Sequence, residues 1–139
     1  MTQIEQIRHE LTWSLRQKEL YPGLPIHEMK LNEDFEGIHF GLFQDNQLIS
    51  VVSVFDKDNS LQFRKFATSK EFQHKGYGTA LLNYIIAYAI QEKKSSIWCN
   101  ARVSATGFYK KFGFTETDEK FNRSGINYII MKKELNILP

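Results

Sequence analysis

Thr68-Ser69-Lys70-Glu71-Phe72-Gln73-His74-Lys75-Gly76-Tyr77-Gly78-Thr79 joins a strand-like run to a helical one, and both of its glycines fall where the helix must begin. Before it, Leu61 to Thr68 reads as a strand. After it, Leu82, Ile85, Ile86, Ala89 and Ile90 recur at i, i+3, i+4, i+7 and i+8, on one face of a helix. The first N–H groups of a helix have no internal partner and point outward with the positive end of the dipole, which makes that end a phosphate site. Glycines at 76 and 78 let the backbone approach a diphosphate with no Cβ in the way, and His74 and Lys75 add positive charge. A plain helix-entry turn uses the same glycines, so the pattern needs a second element to carry a function.

Towards the N-terminus, Gly37 to Phe43 and Leu48 to Phe55 are β-rich runs joined through Gln44-Asp45-Asn46-Gln47, which reads as a hairpin. The turn Asp56-Lys57-Asp58-Asn59 leads into the third run, and Tyr21-Pro22-Gly23-Leu24-Pro25 marks a loop. Ile4, Ile7, Leu11 and Leu15 keep a helical period, yet Thr12 is an acceptable N-cap for a helix that starts at Trp13, so residues 3 to 11 read as strand or helix. Towards the C-terminus, Ser96 to Asn100 reads as a strand. Ala105, Phe108, Tyr109 and Phe112 make a short helical stripe closed by Gly113, and Phe114 to Thr117 with Ile126 to Met131 reads as a final pair of strands. This order predicts an α/β fold with a mixed sheet whose first half is antiparallel.

A chain of 139 residues with 42% hydrophobic and 14% aromatic residues is sized for one domain, residues 1–139, with one sizeable core. The net charge of +2 lacks the footprint of a dedicated nucleic-acid binder, so any phosphate site is local. One cysteine excludes an internal disulfide framework, and no Cys, His or acidic cluster shows metal-ligand spacing. No apolar run approaches the roughly 18 residues of a membrane span, and the start has no basic-then-apolar leader. The expectation is a soluble, cytoplasmic protein with no metal, no nucleic-acid partner and no membrane.

The second element is Asn100-Ala101-Arg102, then Ala105, then Phe108-Tyr109-Lys110-Lys111-Phe112-Gly113-Phe114. It resembles the strand ending in Asn, followed by A-x-x-F-Y-x-x-x-G-F, of the GNAT superfamily of N-acetyltransferases. That family's pyrophosphate loop, Gln/Arg-x-x-Gly-x-Gly/Ala, is matched by Gln73, Gly76 and Gly78. The match is strong from Leu61 to Phe114 and looser from about Thr12 to Lys133. Thr12-Trp13-Ser14-Leu15-Arg16 and Phe63-Arg64-Lys65-Phe66-Ala67-Thr68 are similar to a group of small stand-alone bacterial members.

The resemblance implies a single GNAT domain with helices on both faces of the sheet, and a V-shaped splay between two parallel strands ending near Thr68 and Asn100. It implies acetyl-CoA as cosubstrate. Phe66, Ala67 and Thr68 would give backbone hydrogen bonds to the pantetheine arm, as an added strand would. Gln73, His74, Lys75, Gly76, Tyr77, Gly78 and Thr79 would hold the pyrophosphate. Asn100 would reach the arm from the facing strand, Phe108 would pack against it, and Tyr109 would lie near the sulfur. If the family also places a strand first, residues 3 to 11 are that strand. The implied reaction is direct attack of a neutral amine on the thioester in a ternary complex. Backbone N–H groups near Phe66 and Ala67 would polarise the carbonyl, and Tyr109 would be the leaving-group acid.

One position departs from the pattern. Family members often carry a glutamate base on the strand before the loop, and Gln62 stands there. An amide cannot take the proton, and the neighbouring Arg64 stays protonated. Glu28, Glu33 and Asp34 are carboxylates that a water chain would have to reach, and they read as solvated loop residues. His27 and His39 read as satisfied or exposed side chains, and Cys99 as a buried small hydrophobe. Arg102, Lys110 and Lys111 either meet the CoA 3′-phosphate or form a solvated helix end.

A rival function is a CoA or acyl-CoA sensor that transfers nothing. Another is a nucleotide module, but Gly-x-x-x-x-Gly-Lys-Ser/Thr is absent. The acceptor, a small amine or a peptide, stays open, because the first helix and the loops around 21–35 and 118–125 would build its pocket. The oligomer, for which such enzymes offer a homodimer, stays open too.

Overall fold

The computed structural model describes residues 1–135. Its elements are β1 (Thr2–Ile7), α1 (Trp13–Leu20), β2 (Ile38–Gln44), β3 (Gln47–Lys57), β4 (Ser60–Thr68), α2 (Tyr77–Gln91), β5 (Ser96–Arg102), α3 (Thr106–Lys110), β6 (Thr115–Arg123) and β7 (Ile126–Glu134), with short 3₁₀ turns between some of them. The strands hydrogen-bond in the order β1-β2-β3-β4-β5-β7-β6. β4 and β5 run parallel, whereas β1 with β2, β2 with β3, β5 with β7 and β6 with β7 are antiparallel. This is the mixed α/β sheet with an antiparallel first half that the sequence predicts. The chain divides into two compact units, Met1–Phe55 with Phe63–Ala87, and Asp56–Gln62 with the residues from Tyr88 onward.

In the first unit, β2 turns into β3 through Asp45 (φ 49°) and Asn46 (φ 69°), flanked by the pair Gln44↔Gln47. Two left-handed residues make the hairpin turn whose twist suits the strands, and Asx residues tolerate it best. β3 is buried continuously from Ile49 to Phe55. β1 pairs with β2 from Thr2↔Gln44 to Ile7↔His39, so the strand reading holds there and the helical period is accidental. His9 to Thr12 are instead a 3₁₀ turn, and Leu11 is exposed. The turn also corrects the capping: α1 starts at Trp13 as expected, but the Thr12 hydroxyl donates back to the His9 carbonyl at 2.6 Å and caps nothing. Leu15 packs with Val51 and Ala67, and Ile7, Leu20 and Leu48 close around them.

A polar network sits beside that core. Arg16 is fully buried and donates to Met29 O (2.9 Å), to both Asp34 carboxylate oxygens (3.0 Å each) and to Ser53 Oγ (2.9 Å). Burial pushes the Asp34 carboxyl up, but the Arg16 bonds, the Leu31 N–H and the Arg16 charge outweigh it and hold the group below the usual carboxylate range. Asp34 is therefore a buried ion-pair partner and not the solvated loop residue the sequence suggests. His39 is buried with Nε2 2.9 Å from the Asp34 carbonyl, which can only accept, so that nitrogen carries the proton. Nδ1 then accepts from the Ser53 hydroxyl at 2.7 Å, and burial keeps the ring neutral.

In α2, Leu81, Leu82, Ile85 and Ala89 are buried and Ile86 half-buried, but Ile90 is 47% exposed. At about 100° per residue the buried arc is centred near Ile85 and Ala89, and Ile90 falls off its edge.

In the second unit, Ser60, Leu61 and Gln62 pair in parallel with Ser96, Ile97 and Trp98, and β7 lies antiparallel on the other side of β5. Asp118 to Arg123, expected as part of a loop, are strand. Only Ser124 (φ 53°) and Gly125 (φ 81°) turn the β6–β7 hairpin. Cross-strand contacts override the polar composition: Phe121 stacks on Tyr128 at 5.2 Å, and the Thr117 hydroxyl donates to Ile130 O at 2.8 Å. Among the described residues no helix is long and apolar enough to cross a membrane.

Candidate active site

In the first unit, the end of β4, the loop after it and the start of α2 form one hydrogen-bonded structure. Ser69 N–H donates to Ile49 O at 2.7 Å and Phe72 N–H to Ser69 O at 2.8 Å, which pins the loop's base to β3 and starts a 3₁₀ turn. The Gln73 amide then reaches back to Thr68 O at 2.9 Å. His74 (φ 63°) and Gly76 (φ 89°) reverse the chain through left-handed conformations. The first helical bond runs from Ala80 N–H to Gly76 O at 3.0 Å. The N–H groups of Tyr77, Gly78 and Thr79 precede that bond and belong to the outward-pointing set of the helix terminus.

The two glycines serve different ends. A Cβ on Gly76 would meet nothing within 4 Å, so its left-handed backbone is what selects glycine. A Cβ on Gly78 would stand 3.4 Å from Phe66 Cζ and Thr68 Oγ1, so the start of α2 lies tight against the end of its own strand. Phe66, Thr68, Gln73 and Gly78 are thus brought together. The Thr68 hydroxyl pairs with Ser50 Oγ at 2.8 Å, and Ala67 is buried. His74, Lys75 and Thr79 are exposed. Tyr77 is half-buried, with its ring 6.0 Å from Phe72.

The same strand holds a feature that sequence reasoning missed. Lys65 is left-handed (φ 57°) within β4, a conformation costing a non-glycine residue roughly 1–2 kcal/mol. No residue type marks it in advance. Its ammonium donates to the Tyr21 hydroxyl, and the neighbouring Arg64 donates to Glu33 at 2.7 Å, which answers where that carboxylate goes.

In the second unit, β5 alternates: Cys99 and Ala101 are buried, while Trp98, Asn100 and Arg102 are half-buried. Asn100 therefore faces the side opposite Cys99. α3 follows a 3₁₀ turn over Val103–Ala105. It is closed by two bonds, Gly113 N–H to Lys110 O (3.0 Å) and Phe114 N–H to Tyr109 O (3.3 Å), with Gly113 at φ 90°. This is a Schellman ending, and the ring contact that accompanies it is Tyr109 against Phe114 at 6.0 Å. Phe108 lies 5.3 Å from Tyr109 and 5.1 Å from Phe112. The helix ending thereby sets the position of Tyr109. Gly113→Ala is expected to destabilise the protein by about 1 kcal/mol, through the left-handed backbone, and to lower the urea midpoint with an unchanged slope. An unchanged midpoint would mean that the left-handed backbone at position 113 does not require glycine.

Burial pushes the Tyr109 phenol up, the nearby Cys99 adds to this, and Arg102 pulls the other way. Tyr109 therefore keeps its proton throughout the neutral range and can donate a hydrogen bond. Burial also pushes the Cys99 thiol up, which suppresses the thiolate a nucleophile would need. Among the described residues no group of three or more His, Cys, Asp or Glu is placed to hold a metal ion.

Residues 24–135 match the profile of the Acetyltransferase (GNAT) domain. The chain belongs to the GNAT acetyltransferase family. This GNAT chain is 32% identical over 145 residues to the uncharacterized N-acetyltransferase YitI of Bacillus subtilis (strain 168), a match covering 97% of both proteins. Among solved structures, the ribosomal-protein-S18-alanine N-acetyltransferase of Escherichia coli superposes with a TM-score of 0.81 at 16% identity, over 100% of this chain and 97% of that one. A GNAT family acetyltransferase from Elizabethkingia anophelis, solved with acetyl-CoA bound, has a TM-score of 0.76 at 20% identity, over 96% and 98% of the two chains. Both show the GNAT fold. The family makes this protein an acyltransferase.

Proposed function

We propose that the chain works as one domain in the cytoplasm and transfers the acetyl group of acetyl-CoA to a primary amine, on a small molecule or a peptide, by direct attack in a ternary complex. The observation that carries this reading is the loop from Gln73 to Thr79. It is tied by the Gln73 amide to the end of β4, turned by a left-handed Gly76, and opens α2 at Ala80 N–H to Gly76 O. In a GNAT chain, that arrangement supports a diphosphate site at the helix N–H groups, and the Elizabethkingia acetyltransferase of the same fold was solved with acetyl-CoA bound.

The roles follow residue by residue. Gln73 through Thr79 bind the pyrophosphate, and the backbone of Phe66, Ala67 and Thr68 lines the pantetheine arm. Asn100 and Phe108 complete the arm's surroundings. The amine nitrogen attacks the thioester carbon, and the Phe66 and Ala67 N–H groups stabilise the oxygen as it gains charge. The carbon–sulfur bond then breaks, the Tyr109 O–H donates a hydrogen bond to the departing thiolate, and the proton shed by the attacking nitrogen balances the one the sulfur takes up to leave as the free thiol. Release of free thiol from acetyl-CoA across a panel of amines tests the reading, and a protein that releases none above the uncatalysed rate is not this enzyme.

Proton removal from the acceptor has its own signature. Gln62 is buried and neutral, Asp34 is engaged by Arg16, Glu33 is held by Arg64, and Glu28 is exposed to solvent. On this reading the amine arrives without its proton or loses it to water. For an amine of pKa about 10.4, on the order of one molecule in two thousand is neutral at pH 7. A log–log plot of kcat/KM for the acceptor is expected to climb with a slope near one, until the amine itself titrates. Acceptors of lower pKa bend the plot earlier, and Gln62→Glu flattens the acid limb by creating a base. A break near pH 6 to 7 whatever the acceptor would show an enzyme group taking the proton.

A further inference from the structure

Lys65 occupies a left-handed conformation inside the otherwise extended β4, and the alternation of the strand fails there, with Arg64, Lys65 and Phe66 all half-buried. A left-handed residue in a strand is the backbone signature of a bulge, which re-aims the groups that follow it. Glycine adopts that conformation without a Cβ penalty, so a lysine has to be held there by its surroundings. Lys65 meets Tyr21, the residue that caps the end of α1: its ammonium donates to the Tyr21 hydroxyl and lies 4.5 Å from the centre of that ring.

Tyr21 is itself fixed, because its N–H donates to Arg16 O and Gln17 O at 3.2 Å each. Two further ties join the same stretch of chain to β4 and its loop: Arg64 to Glu33 at 2.7 Å, and Lys70 N–H to the Glu19 carboxylate at 2.9 Å. The Tyr21 contact is the one made by the left-handed residue. A charge-assisted bond from that residue to a rigid helix end restricts the rotation of the backbone around it.

We propose that Lys65 is a positioning residue of the transfer site, whose bond to Tyr21 holds the bulge in β4 and so sets the direction of the N–H groups at Phe66 and Ala67. This rests on the reading in which those N–H groups polarise the thioester carbonyl. It assigns a function to a side chain that touches no reacting atom.

The experiment is isotope-edited infrared spectroscopy of [1-13C]acetyl-CoA bound to the full-length protein. In the wild type the bound carbonyl band is expected at lower frequency than in free acetyl-CoA. Tyr21→Phe removes a single oxygen and keeps the ring, so it folds, and it should lose most of that displacement. Lys65→Met should lose it too and Lys65→Arg should recover it, each read at an acetyl-CoA concentration that saturates the variant. A full wild-type displacement in both Tyr21→Phe and Lys65→Met overturns the proposal. A wild type that binds acetyl-CoA without any displacement removes the polarising role of Phe66 and Ala67, and the role of Lys65 with it. A wild type that binds no acetyl-CoA fails the proposed function itself.

Discussion

Gly78→Asp is expected to lower the affinity for acetyl-CoA by about 2 kcal/mol or more, on the order of thirtyfold, in a protein that still folds. Folding survives because Gly78 is not left-handed and sits in the first turn of α2, where an acidic side chain suits the helix dipole. The new Cβ would meet Phe66 and Thr68 at 3.4 Å, a contact that needs only a few tenths of an ångström of yielding. Binding suffers because the new negative charge at the start of α2 repels the diphosphate that the Tyr77, Gly78 and Thr79 N–H groups would hold. Calorimetric titration decides the matter, and unchanged affinity in a folded Gly78→Asp protein would end the assignment of this loop.

Tyr109→Phe is expected to cut turnover by roughly ten- to a thousandfold, the span of typical acid–base contributions, while acetyl-CoA affinity barely moves. Phenylalanine keeps the ring contacts with Phe108 and Phe114 and the helix ending around Gly113, so only the hydroxyl is lost. Because burial raises the phenol, its O–H persists up to and beyond the ordinary tyrosine range, and the loss should be constant with pH across the acid and neutral region. A loss confined to one limb of the pH profile would mean that the residue titrates there. Wild-type turnover would return Tyr109 to packing alone.

The parts of this fold that could be read from residue order are those governed by local rules. The glycine loop and α2 combine a period of 3.6 with glycines at the helix entry, and the β2–β3 turn puts Asp45 and Asn46 where two left-handed residues are needed. Long-range pairing decided the rest. β1 carries a helical period but is a strand because its whole length pairs with β2. Asp34 and Glu33 look like solvated loop residues until the partners, Arg16 and Arg64, arrive from distant elements. Residues 118–123 have loop composition but belong to a strand, of which Lys120 to Arg123 pair with β7. Lys65 was illegible for a different reason, since a left-handed lysine depends on Tyr21, forty-four positions away in the chain.

The Arg16 network has one more implication, for how relatives of this protein can diverge. By gripping Met29 O, Asp34 and Ser53 from within α1, Arg16 fixes both ends of the stretch that leaves the helix and returns to the sheet. Between those anchors, Pro22 to Glu28 are exposed without exception. Once a loop's ends are pinned, adding residues to it raises the closure entropy only slowly. That segment behaves as an interchangeable cassette: its length and chemistry can be rewritten, by evolution or by grafting from a relative, with the scaffold beneath it left intact.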